Sequence, residues 1–187
     1  PRDRGYRPPP SPADDGARRP DDPGRREDPA IRFSAFDFVG VYDGEAHTID
    51  TNALVEAYTG LVDFVAVEYS DASNGYFSVG APLFTDAVTT SFWYKVTSET
   101  CADIVKPCKV AITNRCVTLA SGSESFTYDG EAHSNLTVTV GGAGFVDGEG
   151  VTTNGFATIT DAGSLPNAFS FAFADGTRAE NYRVACV

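Results

Sequence analysis

Methionine is absent from this chain, tryptophan occurs once and histidine twice. A chain without methionine reads as a segment of a longer protein, so a missing leader peptide carries little information. Long apolar runs are missing too: no stretch approaches the ~18 apolar residues of a membrane span. No membrane span is expected in this segment. Basic charge is scarce, with 14 Lys and Arg against 26 Asp and Glu, for a net charge of −12. Nucleic acid is therefore not an expected partner, because a polyanion binder needs clustered cations. The four cysteines, Cys101, Cys108, Cys116 and Cys186, form no Cys-x-x-Cys pair. No histidine stands near them at zinc-ligand spacing, which argues against a zinc site. Nucleophile elbow, phosphate loop and dinucleotide motif are all missing. Gly141-Gly142-Ala143-Gly144 is glycine-rich, but no helix is expected after it to receive a phosphate. No cofactor and no metal are expected.

What is present is unevenly spread. Residues 1–29 hold eight of the 11 prolines, together with seven Arg and seven acidic residues that cancel. Tyr6 is their only aromatic residue. Such a segment cannot bury enough apolar surface to offset its ordering entropy, and 1–29 reads as a disordered or polyproline-like linker. Residues 30–187 carry seven basic and 19 acidic residues and so the whole net charge. An acidic surface of this kind favours solubility and says little about fold.

The strongest signal is a repeated hexapeptide. Tyr-Asp-Gly-Glu-Ala-His occurs at 42–47 and again at 128–133, and both histidines of the chain, His47 and His133, lie in it. Aligning the two copies brings other segments into register. Ala30-Ile31-Arg32-Phe33 falls against Cys116-Val117-Thr118-Leu119. Gly60-Leu61-Val62-Asp63 falls against Gly144-Phe145-Val146-Asp147, and Thr85-Asp86-Ala87 against Thr160-Asp161-Ala162. Phe92, Tyr94 and Val96 match Phe169, Phe171 and Phe173, each set at every second position, as on one face of a strand. Thr100-Cys101-Ala102-Asp103 matches Thr177-Arg178-Ala179-Glu180. Two tandem modules are expected, at 30–113 and 114–187, with Asn114 at a short junction.

The punctuation is that of a β protein. Asp-Gly and Asn-Gly pairs supply the positive φ of tight turns, and Val, Thr, Phe and Tyr fill the runs between them. About six or seven strands per module suit an all-β chain of two small immunoglobulin-like β-sandwiches. The spacing predicts one helix, over 52–59, with Thr51 or Asn52 as cap and Gly60 as stop. A β-grasp-like arrangement built on that helix is the alternative. Its counterpart at 136–140 alternates Thr and Val and reads as a strand.

These motifs as a set resemble the MBG/YDG-type repeats of bacterial surface proteins. The resemblance rests on the two hexapeptides, on 84–87, 92–97 and 109–113 in the first module, and on 117–119, 126–130, 144–150 and 176–182 in the second. It covers nearly all of 30–187. It implies an extracellular or wall-associated, repetitive and non-enzymatic module that acts as a stalk and presents an adhesive domain. It implies partners among host or matrix glycans and proteins, through the parent protein, and neighbouring repeats in tandem. The cysteines depart from the pattern, as does Val88, where a Gly is expected after Thr-Asp-Ala.

Several residues invite other readings. Asp43, Glu45 and His47, with Asp129, Glu131 and His133, have the composition of acid–base machinery and would suit a hydrolase. The favoured reading is a turn followed by a strand, since a catalytic site needs a convergent pocket and seldom recurs once per module. Asp147-Gly148-Glu149 offers two carboxylates to a calcium ion that wants six or more oxygens, and reads better as an acidic turn. Trp93, Tyr58 and Tyr69, with Tyr76, could form an aromatic platform for a carbohydrate or mucin ligand; packing within a two-layer core is the simpler account. Cys116 and Cys186 would face each other, and could form a disulfide in an exported protein, if the first and last strands of the second module are neighbours. They read equally well as free small hydrophobes.

Overall fold

The structure, a computed structural model, describes residues 36–60 and 63–187. The expected linker 1–29, the strand at 30–33 and the central pair of 60–63 lie outside the described residues. The rest is mostly β with one short helix. In chain order the elements are β1 (Phe38–Val41), α1 (Thr51–Thr59), β2 (Phe64–Ser70), β3 (Thr89–Ser98), β4 (Ile104–Thr113), β5 (Arg115–Ser121), β6 (Val138–Gly142), β7 (Val151–Asn154), β8 (Ser170–Phe173) and β9 (Tyr182–Cys186).

Three sheets result. β1, β4, β3 and β2 form a four-stranded sheet in that order, in which β1 runs parallel to β4 and the other pairs are antiparallel. β6, β5 and β9 form a three-stranded sheet with β5 parallel to β9, and β7 and β8 form a two-stranded ribbon. In each half, then, a first described strand lies parallel to the last. The described residues hold four strands before Asn114 and five after it, fewer than the expected six or seven per module.

Alternation decides which faces are buried. On β3, Phe92, Tyr94 and Val96 point inward, as their period of two predicts. Cys108, Val110 and Ile112 do the same on β4. Helix α1 supplies Leu54 and Tyr58, one turn apart and both fully buried. The Tyr58 and Tyr94 hydroxyls meet at 3.2 Å with their rings edge to face. The helix begins one residue earlier than expected. Asp50 is the cap, its carboxylate accepting from the Ala53 amide at 2.9 Å, while Gly60 ends the helix as predicted. The counterpart strand β6 forms two residues later than 136–140.

The core is a single cluster. It runs from Phe36, Leu54, Tyr58, Tyr94 and Val110 in the first half to Val117, Leu119 and Tyr182 in the second. Only Asn114 separates β4 from β5.

Candidate functional site

The repeated hexapeptide folds into the same bonded turn twice. Asp43 accepts from the Glu45 amide at 3.0 Å and from the His47 imidazole Nε2 at 2.8 Å. Asp129 accepts from the Glu131 amide at 2.9 Å and from the His133 Nε2 at 2.9 Å. Gly44 and Gly130 take φ of 85° and 82°, which only glycine adopts without strain. These bonds hold both carboxyl groups below the usual Asp range: for Asp43 the His47 hydrogen bond is the largest cause, for Asp129 the Glu131 amide.

Each histidine then joins a short antiparallel bridge. His47 exchanges two backbone bonds of 2.8 Å with Phe84, and His133 exchanges two of 2.9 Å with Ile159. Phe84 and Ile159 each precede Thr-Asp-Ala, so the sequence register carries through to hydrogen bonds. A phenyl ring stacks on each imidazole, Phe38 on His47 at 4.3 Å and Phe126 on His133 at 4.6 Å. These two rings come from different positions. Gly40 is the residue in register with Phe126, and the Phe38 ring lies 2.8 Å from where a Gly40 Cβ would stand. Side chains two apart share a strand face, so Phe38 reaches the site that Phe126 fills directly.

An aspartate that orients an imidazole is the beginning of a general base. Here Nε2 is engaged by the carboxylate and one ring face is covered by phenyl, in both copies. The two histidines bridge to different segments and do not converge. Among the described residues, no three His, Cys, Asp or Glu side chains come together to hold a metal ion.

A second constellation escapes the sequence reading altogether. The first hexapeptide turn is covered by the loop 143–150 of the second half. Tyr42 donates to Glu149 Oε1 at 2.8 Å, and Tyr182 donates to Glu149 Oε2. The two tyrosine rings meet edge to face at 5.5 Å. The Tyr182 oxygen also accepts from the Val146 amide at 3.0 Å. Arg115 Nε donates to the Gly144 carbonyl at 2.8 Å, and its Nη1 to the Tyr42 carbonyl at 3.3 Å. Beside them, Arg178 pairs with Asp86, and Asn181, buried, donates to Asp86 Oδ1 at 3.0 Å and accepts from the Ala87 amide at 2.7 Å. The carboxylate of Glu149 is spent on two tyrosines, which leaves the acidic-turn reading of 147–149 the better one.

One signal could have located this junction. At four of the junction positions the two aligned halves differ: Glu149, Arg178, Asn181 and Tyr182 stand opposite Val65, Cys101, Ile104 and Val105. All four touch the first half, Glu149 and Tyr182 at Tyr42 and Arg178 and Asn181 at Asp86.

The twin turns make a self-controlled comparison. Gly44→Ala and Gly130→Ala each force a Cβ into positive φ, at about 1–2 kcal/mol. A Cβ on Gly44 would also lie 2.7 Å from Val146 Cγ1, whereas on Gly130 it meets nothing within 4 Å. Urea unfolding should show Gly44→Ala the more damaging by about 1 kcal/mol or more, since overpacking adds to strain. Equal losses would mean that Val146 does not press on this turn.

The remaining sequence candidates lie apart. Tyr58 is fully buried under α1, and Tyr69 is buried against Phe92 at 6.3 Å between ring centres. Trp93 is half-buried on the opposite face of β3. The three therefore form no common platform, because alternation sends Trp93 away from its neighbours Phe92 and Tyr94. Tyr76 stands alone and exposed.

The cysteines are thiols. β5 and β9 are neighbours, yet Cys116 pairs with Arg183 and Cys186 with Leu119, three residues out of register. That offset, about 10 Å along a strand, exceeds the reach of a disulfide. Both are free and exposed. Cys108 is buried, and its thiol, pushed up to about 12 by burial and then by Asp37, lies 3.4 Å from the Phe92 carbonyl. Iodoacetamide should alkylate Cys116 and Cys186 in the folded chain and spare Cys108 until denaturant is added. Peptide mapping that found Cys108 modified under native conditions would contradict this burial.

One cavity, of about 590 Å³, opens in the second half between 122–128 and 157–167. Phe126, Tyr128 and His133 line it, with Asp161 and Leu165 opposite. No known protein family, curated protein or solved structure matches this chain.

Proposed function

We propose that this chain is a structural segment of a bacterial cell-surface or secreted protein. Two tandem modules, 30–113 and 114–187, set the reach and spacing of an adhesive domain carried elsewhere on the parent. The bacterial and extracellular setting rests on the resemblance of the motifs. One structural observation carries the mechanical part: the same hexapeptide closes into the same turn twice, with its Asp and His consumed by bonds that hold backbone in place. Groups used in this way serve architecture. The one-residue junction and the Tyr42–Glu149–Tyr182 contact favour a semi-rigid rod over a flexible string.

Within this reading, α1 packs on the Phe92–Tyr94–Val96 face where a second sheet would lie. That favours the β-grasp-like arrangement for the first module. In the second, the β6-β5-β9 sheet and the β7-β8 ribbon share one cluster of apolar side chains, which suits a small two-layer packing. Glycan binding through Trp93, Tyr58 and Tyr69 has less support, since two of the three belong to the core.

The test is a spacer exchange in the parent protein. Deleting 30–187 should weaken cell adhesion, and an unrelated two-domain rod of similar length should restore it. Failure of every unrelated rod to restore adhesion, with the parent still displayed, would show that these modules bind something themselves.

A further inference from the structure

The geometry points to a docking end for one more module, on the second hexapeptide turn and the Thr-Asp-Ala segment beside it; the inference rests on the tandem reading above. Within the chain, the first half offers Tyr42, Gly44, Asp86 and Ala87 at the end that meets the second half. Every one of these is covered or bonded there. Tyr42 is 4% exposed, Gly44 has Val146 against it, and Asp86 and Ala87 bind Arg178 and Asn181.

The residues in register on the second half are Tyr128, Gly130, Asp161 and Ala162. Their turn repeats the aspartate and histidine bonds of the first, yet they stand open. Tyr128 is 65% exposed, a Cβ on Gly130 would meet nothing within 4 Å, and Asp161 and Ala162 are exposed. Val187 is exposed as well, at the end of β9 where the first half has the junction to β5. Leu165 and Phe126 add exposed apolar surface around the cavity at this end.

The occupant is defined by the contact already made. It is a module with the docking set of the second half: an Arg at its first strand, a Val-x-x-Glu loop, and an Arg-x-x-Asn-Tyr segment, as in Arg115, Val146, Glu149, Arg178, Asn181 and Tyr182. The Arg of its Arg-x-x-Asn-Tyr segment meets Asp161 as Arg178 meets Asp86, its first-strand Arg takes the Tyr128 carbonyl as Arg115 takes that of Tyr42, and its Glu takes the Tyr128 hydroxyl as Glu149 takes that of Tyr42. The first half could not serve, because it carries Val65, Cys101, Ile104 and Val105 at four of these positions.

The experiment appends a second copy of 114–187 after Val187, with Tyr128→Phe in the appended copy so that its own open turn adds no signal, and follows tetranitromethane nitration of individual tyrosines by mass spectrometry. In the 187-residue chain Tyr128 should react readily, with exposed Tyr76 as the reference and Tyr42 shielded. In the extended chain Tyr128 nitration should slow by about tenfold, as ~1.4 kcal/mol of docking would cause. Glu149→Ala together with Arg178→Ala, placed in the appended copy only, should return it to the original rate. Unchanged Tyr128 reactivity beside a folded appended copy overturns the inference. Protection that instead grows with concentration of the 187-residue chain also overturns it, since another surface would then be the occupant.

Should the appended copy fail to fold, the original chain still decides. Glu149→Ala must speed nitration of Tyr42; if Tyr42 stays shielded, the contact used as template does not hold the turn and the inference falls. None of these outcomes bears on spacer exchange, which reads adhesion and would succeed with modules that never touch.

Discussion

Replacing Tyr182 with Ala should lower the unfolding free energy by about 3–5 kcal/mol, the range for deleting a large buried ring. Tyr182 is 6% exposed, and its ring touches those of Tyr42, Phe145 and Phe173. Its hydroxyl serves both the Val146 amide and Glu149. Tyr182→Phe separates the two roles. It keeps the ring and strands an amide and a carboxylate oxygen, at about 1–3 kcal/mol. Urea unfolding of both variants reads the difference, and a Phe variant as stable as the parent would remove Glu149 from the account.

Alkali provides a second reading of the same residue. Burial first, and then the Glu149 hydrogen bond, push the Tyr182 hydroxyl up to about 12. An unfolded tyrosine ionises near 10, at about two units lower. Between those values the unfolded chain loses a proton that the folded chain keeps, so stability falls as pH rises. The contribution is whole below about pH 10 and gone above the folded value, on the order of 2 kcal/mol. Tyr42, raised by burial and by Glu149, and Cys108 act in the same direction. Tyr182→Phe should flatten the decline between pH 10 and 12, and an unchanged slope would assign it to the other groups.

Tyr94→Ala should cost about 3–5 kcal/mol, while the neighbouring Trp93→Ala, removing a larger ring, costs far less. The physical reason is the pleat. Tyr94 is 2% exposed, faces α1 and meets Tyr58 and Phe36. Trp93 points the other way and is half-buried beside the Lys95–Glu68 pair, itself a 2.6 Å ion pair. Thermal or urea unfolding orders the two directly. A Trp93 variant as unstable as the Tyr94 variant would mean that the opposite face of the sheet is also covered, and would revive Trp93 as a contact residue.

The parts of this fold that are legible in the sequence share one property: they are local. The period of two in Phe92, Tyr94 and Val96 names the buried face of β3, because consecutive side chains must alternate. Helix α1 is announced by its apolar spacing and by Gly60. Asp50 caps it in place of the expected Thr51 or Asn52, its carboxylate being among the best caps available, and Thr51 is the first helical residue. The Asp-Gly pairs of both hexapeptides call for the positive φ that Gly44 and Gly130 adopt. The strand pairing of Cys116 and Cys186 shows where such reasoning stops. Neighbouring strands could be anticipated, but their register is set by packing along the whole pair, and a three-residue offset separates the two thiols.

Sequence alone determined that one hexapeptide is used twice, that its Asp and Gly make a turn, and that the chain around it is mostly β. Those conclusions need only short-range sterics and hydrogen bonds. Tertiary structure decided what the Tyr at its head does. In the first copy Tyr42 is buried against Glu149 and Tyr182; in the second Tyr128 lies open. Identical residues in identical turns differ here because burial depends on what another part of the chain brings against them, and that contact spans 107 residues.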